Sequence, residues 1–483
     1  MRWNIVCPLA LVVPLTTAPG KAQAPRELVT GAVNAMGGEP AVRAVGAITL
    51  SFHTATFALG QEETPASPAR ATVAYGRIVT DLRGNRQLFE QEVRQLTGQV
   101  TRQRRITAGG IGLLETDGRQ TPAAAGAAAA AERAMRLSPE RLLLAALDHP
   151  STLSALPARE WRGSQSHGVR YAAGPDTLAL YFDRWSGLLL VTETVTDDPI
   201  LGDRRTVTWF TRWQPAGAIQ LPRQVDIEVN GRLQSHTIYT TATVGDAPAD
   251  AFVIPDSIAN RAQRASAASP PIVVQLVQLA PGVWRAEGGS HHSLVIEQPQ
   301  QLVVVEGPQT TARSRAVLDT LRTRFPNKRV GVVVNTHHHW DHSGGLRGYM
   351  AAGVPVLTHA RNAAFVRQIA AAAKTVAPDQ LTRTRQVPAI QTVEDSLTIG
   401  SGDSRVVLYR LPTVHVEGML MAYVPQARLL FASDVLTPAA PLNPAGSAEM
   451  VAAARARGLA VDRFAGGHGG VANWADVERA AQP

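Results

Sequence analysis

The stretch Val330–Gly345, VGVVVNTHHHWDHSGG, constrains the fold more than any other part of the sequence. Its valine-rich start, Val330–Val334, predicts a buried strand, because β-branched side chains pack well on a covered, pleated surface. The spacing H-x-H-x-D-H then lets a short non-helical turn aim alternate side chains at one point. The sequence therefore predicts a metal site at a strand end, for which imidazole and carboxylate donors favour zinc, with iron or manganese as alternatives. The residues with this spacing are His337, His339, Asp341 and His342.

The motif THHHWDHSGG resembles the signature of the metallo-β-lactamase-fold superfamily, an αββα sandwich whose metals lie in a cleft at the edge of two sheets. The resemblance covers about residues 275–483. It implies three further ligands on later loops: a histidine, a bridging carboxylate, and a last histidine in a glycine-flanked turn. These positions are filled by His415 in PTVHVEGMLMAYVP, Asp434 in LLFASDVL and His468 in AGGHGG.

The same resemblance implies two divalent metal ions, zinc being favoured. The first would be held by His337, His339 and His415, the second by Asp341, His342 and His468, with Asp434 between them. Two cations sharing a water lower its pKa from about 15.7 to near 7, so that hydroxide forms at neutral pH. We expect this hydroxide to attack an ester, lactone, thioester, amide or phosphoester, while Asp341 guides the proton to the leaving group.

The substrate is only weakly constrained, because this scaffold supports unrelated reactions. Asp434 occupies the position where the best-known zinc β-lactamases place cysteine or serine, which favours ester, lactone or thioester cleavage over β-lactam hydrolysis. Two alternatives remain. One is an iron dioxygenase of the persulfide-dioxygenase type, which shares the fold but uses a single iron. The other is a lipid-binding protein with a vestigial metal domain, although the complete ligand set argues against it.

The N-terminal segment Met1–Ala24 has the features of a secretory signal peptide. Arg2 precedes the apolar stretch Ile5–Leu15, and Ala22–Ala24 supplies a small-residue cleavage site. Cys7, the only cysteine, would leave with this peptide, so we expect neither a disulfide nor a thiol nucleophile. No later run of about 18 apolar residues follows, so no transmembrane anchor is expected and the mature chain should be periplasmic or secreted.

Residues 25–255 predict a β-rich α+β domain with period-two segments and two helical stretches. The hairpin WQPAGAIQLPRQVDIEVNGRLQSHTIYTT weakly resembles the half-open barrel of periplasmic lipoprotein carriers, which implies a lipid or another apolar ligand. Residues 256–271 are small and polar and end in paired prolines, which predicts a linker. Residues 272–483 are predicted to form the catalytic domain, an αββα sandwich, so the fold class predicted for the chain is α/β.

Isolated histidines in this sequence are interpreted as structural or surface residues rather than as ligands. They are His53, His149, His167 and His236. His291 and His292, in GGSHHSLVIEQ, favour a polar turn tip over a role facing the substrate. His359, which ends a short predicted strand, is expected to lie outside the ligand set.

The formal charge of +8 does not favour a nucleic-acid partner. Only Lys21, Lys328 and Lys374 are lysines, and the arginines that make up the rest of the 47 basic residues are scattered without a dense run. Such a distribution is better explained by a solvated surface. We therefore expect a small-molecule substrate and no nucleic acid.

Overall fold

The computed structural model describes residues 24–94, 98–173, 176–248, 250–266 and 272–482. The predicted signal peptide lies outside these residues, apart from Ala24. Within the described ranges the strands form three sheets, one in the N-terminal region and two in the C-terminal region. No helix in these ranges is long and apolar enough to cross a membrane.

The described strands of the N-terminal region form one antiparallel sheet. Consecutive strands pair except β6 and β7, which form its two edges, and the first strand, β1, also pairs with the last, β13. These strands are β1 Ala47–Phe57, β2 Ala71–Asp81, β3 Arg86–Arg94, β4 Val100–Ala108, β5 Ile111–Thr116, β6 Arg119–Pro122, β7 Leu153–Trp161, β8 Ser164–Ala173, β9 Asp176–Asp183, β10 Leu189–Asp198, β11 Gly202–Ala216, β12 Ile219–Val229 and β13 Arg232–Gly245.

The predicted hairpin turns are confirmed by the pairing of β11 with β12 and of β12 with β13. Asn230 and Gly231 connect the second pair with φ of 47° and 81°. Two consecutive left-handed residues match the twist of the flanking strands, which is why Asn-Gly is favoured at this kind of turn.

Helices pack against the N-terminal sheet. They are α1 Pro25–Ala35, α2 Glu39–Ala44, α3 Ala125–Arg136, α4 Pro139–Asp148 and α5 Asp256–Ser266. Val33 and Leu143 pack with Val169 and Leu180 in a cluster of fully buried side chains, which joins α1 and α4 to β8 and β9. The prediction of an antiparallel sheet packed on helices is confirmed, while the resemblance to a half-barrel stays a prediction.

The linker predicted over residues 256–271 is wrong for residues 256–266, which form α5. Ile258 and Ala262 are four residues apart, so they lie on the same helix face, and both are buried. Ile258 packs with Val79, Leu88 and Phe252 of the N-terminal region. The small and polar composition hid this narrow apolar stripe; residues 267–271 lie outside the described ranges.

The C-terminal region contains two sheets in the part of the chain that the structure describes. The first consists of β14 Gln275–Ala280, β15 Val283–Glu287, β16 Ser293–Glu297, β17 Gln301–Val305, β18 Arg329–Asn335, β19 Val356–His359 and β20 Ile390–Val393. The second consists of β21 Ser396–Ile399, β22 Val406–Leu411, β23 Met419–Val424, β24 Leu429–Ala432, β25 Arg463–Gly466 and β26 Val471–Asn473. The helices are α6 Thr311–Arg324, α7 Trp340–Ser343, α8 Leu346–Ala351, α9 Ala363–Ala371, α10 Gln380–Thr384, α11 Pro444–Ala456 and α12 Trp474–Ala480.

The two C-terminal sheets face each other and helices cover their outer faces, as the αββα prediction requires. Val303 of the first sheet and Phe431 of the second belong to one buried cluster between the sheets. Val317 of α6 packs on the outside of the first sheet, and Met450 of α11 packs on the outside of the second.

Parallel pairing brings several strand ends to one edge of this sandwich. β17 pairs with β18 and β18 with β19 in parallel, and β24 pairs with β25 in parallel. The carboxyl ends of parallel neighbours lie side by side, and the loops that follow them are held by a rigid scaffold. Glu306, His337, Asp434 and His468 each lie within two residues of such a strand end.

The buried cluster between the sheets makes a direct stability prediction. Phe431→Ala should lower the free energy of unfolding by about 3–5 kcal/mol, because it removes a fully buried ring and leaves a cavity. Urea unfolding followed by tryptophan fluorescence measures this change. Leu397→Ala in β21 is the control, because its side chain is partly exposed; an equal loss in both variants would contradict the assigned core.

Candidate metal centre

The structure brings the seven predicted ligands together at the shared edge of the two sheets. The seven fall into two groups, and within each group one potential ligand atom per residue lies within 4.8 Å of the others; among the described residues a third such group joins Glu306 with His337 and His342. The first group comprises His337, His339, His415 and Asp434. The second comprises Asp341, His342, His468 and, in addition, His291.

Asp434 lies between the two groups, with one carboxylate oxygen facing each. Its Oδ2 atom is 3.1 Å from Nε2 of His415 and 3.3 Å from Nε2 of His337. Its Oδ1 atom is 2.9 Å from Nε2 of His342 and 3.0 Å from Nε2 of His468. Asp434 follows β24 in a left-handed conformation with φ of 61°, a conformation that non-glycine residues rarely adopt and that is concentrated at functional sites.

Glu306, which sequence reasoning missed, orients two of the histidines. Its side chain accepts hydrogen bonds from the Thr336 hydroxyl and from Nδ1 of His342, the latter at 3.0 Å. Because the Thr336 hydroxyl donates to Glu306, the 3.0 Å contact between that hydroxyl and His337 must be donated by Nδ1 of His337. Both imidazole rings therefore direct Nε2 towards Asp434, which is the arrangement that outer carboxylates produce around metal-ligating histidines.

The glycines around His468 are required by close packing. A Cβ atom on Gly467 would lie 2.0 Å from Oγ of Ser433, and one on Gly466 would lie 2.3 Å from the His468 carbonyl oxygen. The turn that they permit lets Nδ1 of His468 donate to the Ser290 carbonyl at 3.0 Å. Nε2 of His468 is thereby left facing Asp434.

The donor set fits a divalent cation. Nε2 of His337 and Nδ1 of His339 are buried and have no hydrogen-bond partner among the described residues. A buried polar atom without a partner is costly, and neutral imidazole nitrogens beside a carboxylate are the donors that zinc, iron and manganese accept. The individual ligand roles remain predictions.

The ionisation of the site reflects this crowding of charge. Burial alone would raise the pKa of Asp434, but the imidazoles that surround its carboxylate, His337 first among them, hold that pKa well below its ordinary value. Burial opposes the charged form of His342, yet the Glu306 and Asp434 carboxylates raise its pKa to about 10. Without a cation His342 therefore carries a proton that a metal ion would replace.

His291 corrects one of the sequence predictions. Instead of forming a polar turn tip it is buried, and its Nε2 atom lies 3.3 Å from Oδ2 of Asp341. Its ring centre is 4.1 Å from that of His468. His292 is also buried, and its backbone N–H donates to the Gly467 carbonyl at 2.8 Å. The loop position just before β16 was the available signal, since that loop borders the cleft.

His338 of the motif and the histidines that the sequence analysis interprets as structural belong to neither ligand group. Nε2 of His338 donates to the Glu62 carbonyl at 3.0 Å. Nδ1 of His359 accepts from the Arg361 backbone N–H at 3.2 Å. His236 contacts Asp226 at 2.6 Å within the N-terminal sheet.

The role of Glu306 can be tested by Glu306→Gln. The amide keeps the shape of the side chain but removes its charge and one acceptor, so the affinity for zinc should fall by about 10–100-fold. Competition with a chromophoric chelator measures this affinity. Glu297→Gln is the matched control, because Glu297 ends the neighbouring β16 and pairs with Lys328 instead. Equal zinc affinity in Glu306→Gln and the unchanged chain would refute the role.

Comparison with known protein families finds one matching model, described as the metallo-beta-lactamase superfamily, over residues 286–478. A curated relative is 26% identical over 154 residues: the 2,4-dinitroanisole O-demethylase subunit alpha of Nocardioides sp. (strain JS1661). That alignment covers 32% of this chain and 44% of the relative, so this chain spans less than half the length of the relative it matches.

Solved structures with similarity to this chain include metallo-beta-lactamases from three bacteria. The protein from Pontibacter korlensis is 17% identical, covers 42% of this chain and 95% of its own, and gives a TM-score of 0.34. FIM-1 from Pseudomonas aeruginosa, in its mono-zinc form, is 16% identical, covers 44% of this chain and 96% of its own, and gives a TM-score of 0.35. The protein from Hirschia baltica is 17% identical, covers 43% of this chain and 96% of its own, and gives a TM-score of 0.33.

Proposed function

We propose that this chain, whose residues 286–478 form a domain of the metallo-β-lactamase superfamily, is a metal-dependent hydrolase with a two-metal centre. Most proteins with this fold are hydrolytic enzymes. The observation that carries the proposal is the position of Asp434, whose two carboxylate oxygens face two separate groups of ligand atoms. A bridging carboxylate of this kind suits two cations rather than one.

The protein groups divide the work of hydrolysis between them. The first metal would be held by His337, His339 and His415, the second by Asp341, His342 and His468, and Asp434 would contact both. Bound there, two divalent ions would supply a hydroxide at neutral pH and polarise the electrophilic oxygen of the substrate. The imidazole rings are held in place by outer hydrogen bonds, so little reorganisation is needed during the reaction.

Asp341 is the group proposed to handle the proton. In hydrolysis the water oxygen bonds to the acyl carbon, the bond to the leaving group breaks, and a proton must reach that leaving group. The Oδ2 atom of Asp341 is 3.6 Å from Nε2 of His342 and 3.3 Å from Nε2 of His291, and its side chain is 40% exposed. Asp341 can therefore accept the proton from the attacking water and pass it to the leaving group.

The substrate classes we favour are esters, lactones and thioesters, because Asp434 stands where the zinc β-lactamases have cysteine or serine. The Nocardioides relative is named as a 2,4-dinitroanisole O-demethylase subunit, so aryl methyl ethers are also included among the substrates to be tested. A mononuclear iron dioxygenase is the alternative, since the group formed by His337, His339, His415 and Asp434 could by itself hold one ion. Metal analysis together with oxygen consumption separates these two functions.

The proposal predicts chelator-sensitive hydrolysis. The zinc-loaded mature chain should turn over at least one ester, lactone or thioester in a screen that also includes phosphoesters, β-lactams and aryl methyl ethers. A chelator should abolish turnover and added zinc should restore it. Asp341→Ala and His342→Ala should each lower kcat by about 10²-fold or more, because they remove the proton carrier or a ligand.

The control for these two variants is His149→Ala, an exposed histidine of the N-terminal region that should leave kcat unchanged. Circular dichroism should show that all variants keep the fold. Full activity in both Asp341→Ala and His342→Ala would contradict the assigned roles. Oxygen consumption by the iron-loaded chain, without hydrolysis by the zinc-loaded chain, would favour the dioxygenase instead.

Export from the cytoplasm is part of the proposal and rests on the signal-peptide features of Met1–Ala24. The chain would then act in the periplasm or outside the cell. The intact mass of the exported protein tests this, because cleavage after Ala24 leaves a chain that begins at Pro25, whereas an uncleaved chain contradicts it.

An apolar ligand is also proposed, now at the boundary between the two regions rather than within the N-terminal sheet alone. A cavity of about 560 Å³ lies there, a volume typical of small-molecule sites. Nδ1 of His338, which lines it, is buried without a hydrogen-bond partner among the described residues. The wall combines polar and apolar groups, which supports a ligand with an apolar part and polar groups that include one hydrogen-bond donor. The large apolar residues of its wall are Phe57, Leu59, Ile200, Leu201, Leu233, Trp340, Phe365 and Ile369.

The cavity predicts binding of an apolar probe. N-phenyl-1-naphthylamine should bind with enhanced fluorescence, and Ala69→Phe should weaken this binding by about tenfold or more, because a phenyl group fills part of the space. The control is Ala364→Phe, an exposed position on α9 that does not line the cavity. Equal probe binding by both variants would remove the support for this site.

A further inference from the structure

The connection between β1 and β2, residues 58–70, crosses from the N-terminal sheet to the metal-binding motif. Its backbone carbonyls accept hydrogen bonds from the C-terminal region, from Trp340 N to Gly60 at 3.2 Å and from Glu417 N to Glu63 at 2.9 Å. Arg70, at its far end, donates to the carbonyl of His415 at 2.9 Å. The connection is therefore attached to two of the loops that carry predicted ligands.

Gly60 makes the closest approach. Its φ of 84° lies in the left-handed region, and a Cβ atom added to it would lie 2.2 Å from the Trp340 ring. Only glycine fits a backbone that is left-handed and in contact with an indole at the same time. This packing places the next two residues, Gln61 and Glu62, directly over the H-x-H-x-D-H turn.

Gln61 binds one oxygen of Asp341. Its side-chain amide donates to Oδ1 at 2.8 Å, while Oδ2 faces His291 and His342 in the second ligand group. A carboxylate bonded at one oxygen and directed at a metal through the other has a fixed orientation, because rotation about its last bond would break the amide contact. Outer contacts of this kind determine how ligands meet a metal.

Glu62 orients His339 through its backbone. Its carbonyl oxygen is 3.1 Å from Nε2 of His339, and a carbonyl can only accept, so the proton is on Nε2 and the unpartnered Nδ1 faces the first ligand group. The side chain of Glu62 is 2% exposed and forms an ion pair with Arg232 at the start of β13. The β12–β13 hairpin thereby holds the carbonyl in place from behind.

We infer that the N-terminal region completes the metal centre, with Gln61 and the Glu62 carbonyl acting as positioning groups for Asp341 and His339. The inference rests on the proposed metal binding and extends it to a part of the chain outside the matched family region. The affinity of the second site should depend on Gln61. Both sites should depend on the close approach at Gly60, since Glu62 follows it directly.

The test measures zinc binding by the full chain before any activity is considered. Competition with a chromophoric chelator gives the number of ions and both affinities, and the visible spectrum of the cobalt-loaded chain reports ligand geometry. Gln61→Ala should lower the affinity for one zinc ion by about 10–100-fold and leave the affinity for the other unchanged. It should also alter the cobalt spectrum. Gly60→Ala should lower the affinity for both zinc ions.

The matched control is Glu63→Ala, an exposed side chain in the same connection, which should bind zinc as the unchanged chain does. Thermal unfolding of the metal-free proteins separates positioning from folding, because Gln61→Ala should keep its melting temperature. Unchanged zinc affinities and an unchanged cobalt spectrum in Gln61→Ala would overturn the inference. Failure of the unchanged chain to bind zinc would instead overturn the proposed function.

Discussion

The structure depends on a carboxylate, Asp434, that is held among imidazole rings at the edge of a sandwich. Burying a charge is costly unless it is paired, and Asp434 meets four histidine rings at 2.9–3.3 Å. Two of the potential ligand nitrogens nevertheless have no hydrogen-bond partner among the described residues. Bound cations would balance both features at once, since they would neutralise the carboxylate and accept the free lone pairs.

Parallel strand pairing is what makes that crowding possible. Neighbouring carboxyl ends deliver Glu306 and His337 from one sheet and Asp434 and His468 from the other, so four loops meet along one edge. Side chains on loops would be mobile without further support. Glu306, Thr336 and Ser290 provide it, because each hydrogen-bonds a histidine through the nitrogen that does not face Asp434.

The core of the C-terminal fold could be predicted because its central strands are buried on both faces. Covered strands appear as continuous apolar runs, and Val330–Val334, which the sequence predicts as a buried strand, lies within β18 Arg329–Asn335. The N-terminal strand β6, RQTP, has no such pattern and was missed. Helix α5 was mistaken for a linker because only a narrow stripe of it is apolar.

The predicted ligand residues could be named from the sequence because their types, order and spacing are specific to this kind of centre. The groups that orient them were not. Glu306 appears only as a polar residue ending a valine run, and His291 as one of two histidines in a glycine-rich turn. Gln61 contacts Asp341 across 280 positions, and a single sequence contains no local pattern that records such a contact.

The N-terminal region approaches the ligands from the side opposite to the proposed cations. Gln61 hydrogen-bonds Oδ1 of Asp341, so Oδ2 stays available to a metal ion. The Glu62 carbonyl accepts from Nε2 of His339, so Nδ1 stays available. The region therefore supports the centre without occupying the positions where a substrate would bind. Because coupling between two equilibria is reciprocal, any gain in metal affinity from these contacts must equal the gain in their stability when metal binds. Metal loading would then tighten the attachment of the N-terminal sheet to the sandwich, and the cavity between them would be best defined in the metal-loaded chain.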